Sequence, residues 1–490
     1  MMMTTKTRQM IIDLDFDNDP NTARTEAVDP AALIRMRVIQ AITLLAFILP
    51  LVFGCQAASS TDMARNAFAA PPSGHASGAG PMISRAADRN DSHGLRPEPE
   101  VRVRLSEFSG GFQRITVQAI SAARIVAPGG GYAIAAGQSF EVSCGNGGSS
   151  GAYMLANNEV IPGDAVRCLP VGSPFGATFR FAGEAMAAPV DVRGELTLLR
   201  GVDARIELVV TIGMEDWVRG SVLAEMPAKF GAEALRAQAV AIRTYGLHKL
   251  LTAGQASAPF DLESSVADLR YGGVAYEGPE GNDATDQTRG QAMTWQGRLF
   301  TAYFHSTSGG ATISAEEYFG KWPGFRPLSG VASPESSESP MNEWEIVHSW
   351  RDVRSKLIAA GLGLSADVLG EHVQSVARIY RPGIDRIPHP LTADPARRPQ
   401  AYRFETDRGT VDIAAKTLRM TIGAGRTGMP STCCVIVPEG DNLRLIGRGW
   451  GHGVGMCQFG AAGMAKGGAT WRQILERYYP GARIVQWYRD

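Results

Sequence analysis

The chain has 490 residues, 44 % hydrophobic and 20 % charged, with a formal net charge of −1. That composition is ordinary for a soluble protein and the length suits two to four domains. A balance so near neutral offers no bulk electrostatic case for nucleic acid or an anionic membrane as partner.

The first feature in chain order is the apolar run "VIQAITLLAFILPLVF", Val38 to Phe53, preceded by Arg35 and Arg37 and ending at "VFGC" with Cys55. A short uncharged run after basic residues, closed by small residues and a cysteine, reads as a secretory signal rather than a spanning helix. Val52 and Gly54 before Cys55 resemble a bacterial lipoprotein cleavage box, so residues 1–55 are expected to be a signal peptide with Cys55 lipidated. Initiation at Met36 would give that signal a normal start. The competing reading is a single membrane anchor, and both place the remainder outside the cytoplasm. Residues 56–100, rich in Ala, Ser, Gly and Pro without hydrophobic period, read as a disordered tether.

From Val101 to about residue 213, short alternating runs such as "VRVRL", "RITVQAI" and "ARIELVVTI" predict a β-rich region. Helical patterns follow. "MEDWVRGSVLAEM" places Trp217, Val218, Val222 and Leu223 on overlapping turns, and Pro227 forces a break near Glu225 and Met226. A second helix, "GAEALRAQAVAIRTYGLHKLL", carries Leu235, Gln238, Ile242 and Tyr245 on one face and stops at Gly254. "RLFTAYFHSTSGG" predicts a strand delivering His305 into a loop of Ser306, Thr307 and Ser308. An aromatic patch, "EEYFGKWPGF", precedes residues 331–343, expected as a surface loop; then come a helix at 350–361 and strands between Val373 and Val437. The fold class is therefore α+β, an N-terminal β-rich region leading into a mixed helix/strand core over 214–490.

"GRGWGHGVGMCQFG", Gly447 to Gly460, alternates glycine with Arg448, Trp450, His452, Val454 and Met456. It predicts a strand with one bare face for close backbone approach and one face carrying Arg, Trp and His. An aromatic plane beside hydrogen-bonding groups suits a sugar ring, while a packed central strand explains the same spacing. Cys144 and Cys168 flank a turn-rich segment and can pair in an oxidising compartment; no cysteine or histidine cluster has zinc spacing.

Glu225, at a helix–Pro–helix corner among apolar residues, is either a helix-terminal carboxylate or an acid whose charged form is disfavoured, able to donate a proton near neutrality. Arg243 is either snorkelling, paired with a carboxylate such as Glu225, or holding a substrate carboxylate or carbonyl. His305 is either a satisfied structural histidine or a site residue at a strand end.

Three blocks resemble the stage II sporulation protein D and amidase-enhancer family of bacterial cell-wall proteins. They are Glu215 to Leu247, with "AEMP"; Tyr271 to Thr312, with "FHSTSGG"; and Gly447 to Ile484, with "GHGVGM". The resemblance spans about residues 101–490. It implies a glycan cleft and lytic transglycosylation of peptidoglycan, with Glu225 as catalytic acid/base. It further implies Arg243, His305, Ser306, Thr307, Ser308, Trp450, His452 and Gln458 as substrate-binding residues. Glycan strands and a cell-wall amidase are the implied partners, and the envelope the implied location. The alternative it leaves open is a non-catalytic enhancer of an N-acetylmuramoyl-L-alanine amidase. Some clostridial members carry a zinc through added Cys and His near the "HSTSGG" loop; this chain has no Cys there, so no metal or other cofactor is expected. Hydrolases need a second carboxylate about 5 to 9.5 Å away, whereas a transglycosylase can use one.

Overall fold

The computed structural model describes residues 96–489 apart from 107–111, 128–129, 145–151, 156–159, 163–164, 173–175, 177, 185, 202–204, 253–258, 266–267, 321 and 381–397. The signal segment, Cys55, most of the expected tether and Gly254 lie outside these residues. No described helix is long and apolar enough to cross a membrane.

Alternating apolar residues build two sheets between residues 100 and 213. One runs in the order Leu262–Glu263, Glu100–Arg104, Ile206–Gly213, Glu195–Arg200, Ala165–Pro170, Ala123–Ala127, Gly130–Ile134. The other runs Val190–Val192, Phe179–Gly183, Arg114–Ala119, Ser139–Cys144, Ala152–Leu155, Val160–Pro162. Every second residue faces inward, so Val101, Val103, Ile115, Val117, Leu196, Leu198, Leu208 and Val210 are buried in one cluster with both sheets. Cys144 and Cys168 sit on different sheets and carry free thiols, so the expected pairing is not made.

Helix α1, Met214–Glu225, continues directly from the Ile206–Gly213 strand, and α2, Ala232–Thr252, follows one turn of 3₁₀ helix. Trp217, Val218 and Val222 of α1 are buried as their spacing predicts. Helix α2 is enclosed on every side, with Ala234 through His248 buried except Arg236. Its alanines and Gly246 permit that, since a Cβ at Gly246 would run into the Trp217 ring. A helix-interior glycine costs roughly 1 kcal/mol against alanine, here offset by the close α1–α2 approach. The helices Gln458–Lys466 and Trp471–Tyr478 pack onto α2, and the strand Arg483–Gln486 pairs antiparallel with Gln291–Trp295.

A second hydrophobic cluster lies within residues 341–445 and includes Trp344, Trp350, Leu357, Tyr402, Phe404, Leu418, Ile436 and Leu445. It is framed by two three-stranded sheets, Glu343–Ser349, Asn442–Arg448, Cys434–Glu439 and Val373–Ile379, Ala401–Thr406, Gly409–Ala414. Residues 341–445 thus build an interior of their own, separate from the larger cluster.

The expected surface loop is structured, and the expected tether ends earlier than residue 100. Residues 331–343 contain a strand, Ala332–Ser333, and a 3₁₀ turn, Pro334–Glu338, with Ser333, Ser336 and Ser339 buried. The last residues of the expected tether belong to the fold. Arg96 bridges Tyr488, and Glu98 accepts from the Glu215 backbone N–H and pairs with Arg289.

Candidate functional site

Glu225 is the last residue of α1, because Met226 must adopt extended angles (φ −136°, ψ 123°) before Pro227. The corner is less apolar than its neighbours suggest. Glu225 is half-buried and its Oε1 accepts the Arg270 backbone N–H at 2.5 Å. Gln458, at the start of the last block's helix, donates from Nε2 to the Glu225 carbonyl at 3.0 Å. Phe459 meets Phe230 edge-on at 4.8 Å between centroids. The structure therefore brings Glu225 and Gln458 together across 233 residues of chain.

Arg243 is not part of that junction. It is fully buried and grips Glu215, with Nε to Oε1 at 2.9 Å and Nη2 to Oε2 at 2.6 Å. Its Nη1 donates to the Gln291 carbonyl at 3.1 Å. Glu215 also accepts from Gly290 N–H at 2.8 Å and Tyr488 O–H at 2.6 Å. Burial alone would raise the Glu215 carboxyl, but the Arg243 guanidinium with the Tyr488 and Gly290 donors outweighs it and holds it below the usual carboxylate range. Of the alternatives open for Arg243, carboxylate pairing is what the fold makes. The partner is Glu215, at the other end of α1 from Glu225.

The Gly-alternating stretch is not the strand its period predicts. The regular strand ends at Arg448, and Gly449, Gly451, Gly453 and Gly455 all have positive φ, from 72° to 107°. The path turns at each glycine and lies against residues 303–309. Thr307 and Trp450 exchange backbone hydrogen bonds, and Phe304–His305 pairs parallel with Met456–Cys457. A Cβ at Gly451 would meet His305 Cβ at 2.8 Å, and one at Gly455 would run into the Tyr303 carbonyl oxygen. The glycines serve close packing, as one of the two readings held.

This packing buries much of the Ser/Thr loop. Thr307 Oγ1 bonds Ser339 Oγ at 2.7 Å and Ser308 Oγ donates to Ser336 Oγ at 3.0 Å, both inside the protein. Neither hydroxyl faces solvent, because the 331–343 segment covers them. Ser306 stays half-buried. Trp450 is half-buried against the second hydrophobic cluster, and its Nε1 donates to the Ala424 carbonyl at 3.1 Å. Its indole edge is thus engaged by protein.

His305 and His452 do come together, with ring centroids 5.5 Å apart. Val454 fixes both tautomers. Its carbonyl must accept, so His305 Nδ1 carries hydrogen (3.2 Å); its N–H donates to His452 Nδ1 (3.0 Å), so that hydrogen sits on Nε2. His305 Nε2 is buried and meets no hydrogen-bond partner among the described residues. Burial, then the charges of Arg419, Arg398 and Lys416, pushes His452 down to about 3, with the Phe304 backbone opposing. Burial, His452 and Arg398 push His305 well down also. Both rings are neutral at physiological pH, fixed donors and acceptors rather than proton donors.

Sequence reasoning missed what surrounds them. Tyr303, Tyr318 and Phe319 lie 5.6 to 6.0 Å from the His452 ring, and Phe319 stacks on Tyr303 at 4.8 Å. Trp322 joins at 5.9 Å from Phe319, with φ +63°, a left-handed conformation unusual for a bulky residue. The aromatic density of "EEYFGKWPGF" was the available signal. Arg398, Arg419 and Lys416, between the two sheets' strands in sequence, gave none. Among the described residues no group of three or more His, Cys, Asp or Glu side chains is placed to hold a metal ion.

Residues 202–295 match the family described as SpoIID, stage II sporulation protein. Stage II sporulation protein D of Bacillus subtilis (strain 168) is 32 % identical over 294 residues, covering 57 % of this chain and 76 % of that protein. An uncharacterized protein of Brachyspira hyodysenteriae is 29 % identical over 300 residues, covering 61 % of this chain and 74 % of its own. The amidase enhancer of Bacillus subtilis (strain 168) is 27 % identical over 300 residues, which cover 55 % of this chain but 40 % of the enhancer.

Proposed function

Because the chain belongs to the stage II sporulation protein D family, we propose that it acts on the bacterial cell wall as a lytic transglycosylase of peptidoglycan glycan strands, with Glu225 as general acid and base. The observation that carries this reading is the Glu225 corner. A carboxylate is held at a Pro-terminated helix end, half-open to solvent, by the Arg270 N–H on its own oxygen and by Gln458 on its carbonyl. Glu225 in its acid form gives its proton to the oxygen linking N-acetylmuramic acid to N-acetylglucosamine, and the bond from that oxygen to C1 of the muramic residue breaks. The C6 hydroxyl of the same residue then bonds to C1, and its proton passes to the Glu225 carboxylate. The product is a 1,6-anhydro end, no water is consumed, and the acid is restored.

Arg243 acts in this reading as a positioning residue, fixing the Glu215 end of the helix whose other end carries Glu225. The half-buried His452, Tyr318 and Phe319 rings offer aromatic faces, inclined to one another, beside polar edges, a combination suited to a sugar. The run Val38 to Phe53 ending at Cys55 supports an envelope location with lipid on Cys55. The likeness to the amidase enhancer supports a second reading, in which the chain binds wall and stimulates a separate amidase. Glycan strands with and without stem peptides, incubated with the protein and with Glu225→Gln, separate the two. Anhydromuramic ends from the parent and none from the variant fit the enzyme. Amidase stimulation retained in both, with no anhydro ends from either, fits the enhancer.

A further inference from the structure

Among the described residues, Arg102, Arg167, Arg180, Arg193, Arg243 and Arg403 each grip a carboxylate through the edge formed by Nε and Nη2. That edge matches the two oxygens of a carboxylate and gives the strongest form of the pair. Among the described residues nothing occupies the same edge of Arg398. It is 4 % exposed, its Nη1 donates to the Gly451 carbonyl at 2.9 Å, and its Nε and Nη2 are buried without a hydrogen-bond partner. Buried guanidinium donors are costly to leave unmet, so such an edge suits an acidic occupant.

Among the described residues the surroundings are short of negative charge. Arg419, 8 % exposed, donates to the Pro430 and Ala424 carbonyls, and Lys416 stands over the Tyr318 and Phe319 rings at 5.9 and 5.7 Å. Glu317 faces them but accepts the Arg398 backbone N–H at 3.1 Å. Tyr318 and the neutral His452 and His305 rings complete the neighbourhood. The rim is open, since Lys416 is exposed and Tyr318, Phe319 and His452 are half-buried.

We propose that Arg398, with Arg419 and Lys416 beside it, forms a carboxylate-binding subsite against the aromatic cluster, where an acidic group of the wall polymer docks. This rests on the reading that the chain takes peptidoglycan. The guanidinium edge takes the two oxygens, Lys416 adds charge at the mouth, and the rings cover the attached sugar or peptide. Gly453 belongs to the same device, because a Cβ there would lie 2.7 Å from Arg398 Nε and Nη2.

The test titrates the full chain with N-acetylmuramic acid, muramyl dipeptide and the uncharged N-acetylglucosamine, followed by ligand-observed NMR. Binding of at least one acid should be about tenfold tighter than the neutral sugar. Preference for N-acetylmuramic acid assigns the lactyl carboxylate; preference for the dipeptide assigns a peptide carboxylate; both support the subsite. Arg398→Gln should abolish the preference, and Lys416→Gln, at an exposed position outside both cores, should reduce it severalfold with an unchanged thermal melt. Equal affinity for acids and neutral sugar, or a preference that survives Lys416→Gln and a folded Arg398→Gln, overturns the proposal. Loss of strand cleavage in Glu225→Gln with the acid preference intact leaves this inference standing. A parent that prefers acids but never cleaves strands removes only the transglycosylase reading.

Discussion

Replacing Arg243 by methionine separates two roles that the family resemblance runs together. In the fold the side chain is fully buried and Glu215 is 1 % exposed, so the substitution strands a carboxylate with only the Gly290 N–H and the Tyr488 O–H as donors. Breaking a buried pair from one side costs about 3 to 5 kcal/mol. Whole domains are stable by about 5 to 15 kcal/mol, so Arg243→Met should lose a large part of the total. The double variant Arg243→Met/Glu215→Met should be more stable than the single one, because no unpaired charge remains and the two sites couple by about 0.5 to 3 kcal/mol. Urea unfolding followed by tryptophan fluorescence reads this directly, since Trp217 is buried on the same helix as Glu215. Wall cleavage by Arg243→Met should fall in step with the folded fraction. If the single variant keeps its stability within about 0.5 kcal/mol of the parent and still loses wall binding, the arginine serves the substrate and the positioning argument is wrong.

Three further outcomes follow from the same geometry. Gly455→Ala places a Cβ against the Tyr303 carbonyl at φ +72°, whereas Gly440→Ala, at φ +59°, meets nothing. Both carry the left-handed penalty of about 1 to 2 kcal/mol and should unfold at lower urea than the parent, the first at clearly lower urea than the second; equal midpoints would refute the packing role of the glycines. His452 and His305 have folded pKa values below the unfolded 6.5, so the unfolded chain binds the protons that the fold refuses. Stability should therefore fall as pH drops below about 6.5, by up to about 1.4 kcal/mol per pH unit per histidine, and His452→Gln should flatten the slope. A urea midpoint constant between pH 7.5 and 5 would refute it. Trp450→Phe removes the hydrogen bond to Ala424 and should cost about 1 kcal/mol while wall pull-down stays unchanged; weakened pull-down by a variant of parental stability would return Trp450 to the sugar surface.

What could be read beforehand followed local chemistry. Pro227 fixes where α1 ends, so the position of Glu225 was visible from adjacent residues. The alternation from Val101 to Ile212 names its own buried face, and the sheets use it as predicted. Partners distant in sequence were not visible. Glu215 lies 28 residues from Arg243, and Ser336 and Ser339 lie 28 and 32 residues from the hydroxyls they cover. The glycine period misled for a specific reason. Alternation by two is the mark of a strand, yet glycine also permits positive φ, and the sequence is the same for either use. The second core was hidden because its strands resemble those before it, and nothing in the chain marks which hydrophobic residues keep separate company.

The central claim is that bond cleavage proceeds without water, and isotopic oxygen tests it most directly. Glycan strands digested in ¹⁸O-labelled water and analysed by mass spectrometry should yield muramic ends in the 1,6-anhydro form with no label, and Glu225→Gln should yield none. New ends that are reducing and carry one ¹⁸O would mean hydrolysis, and would contradict the account.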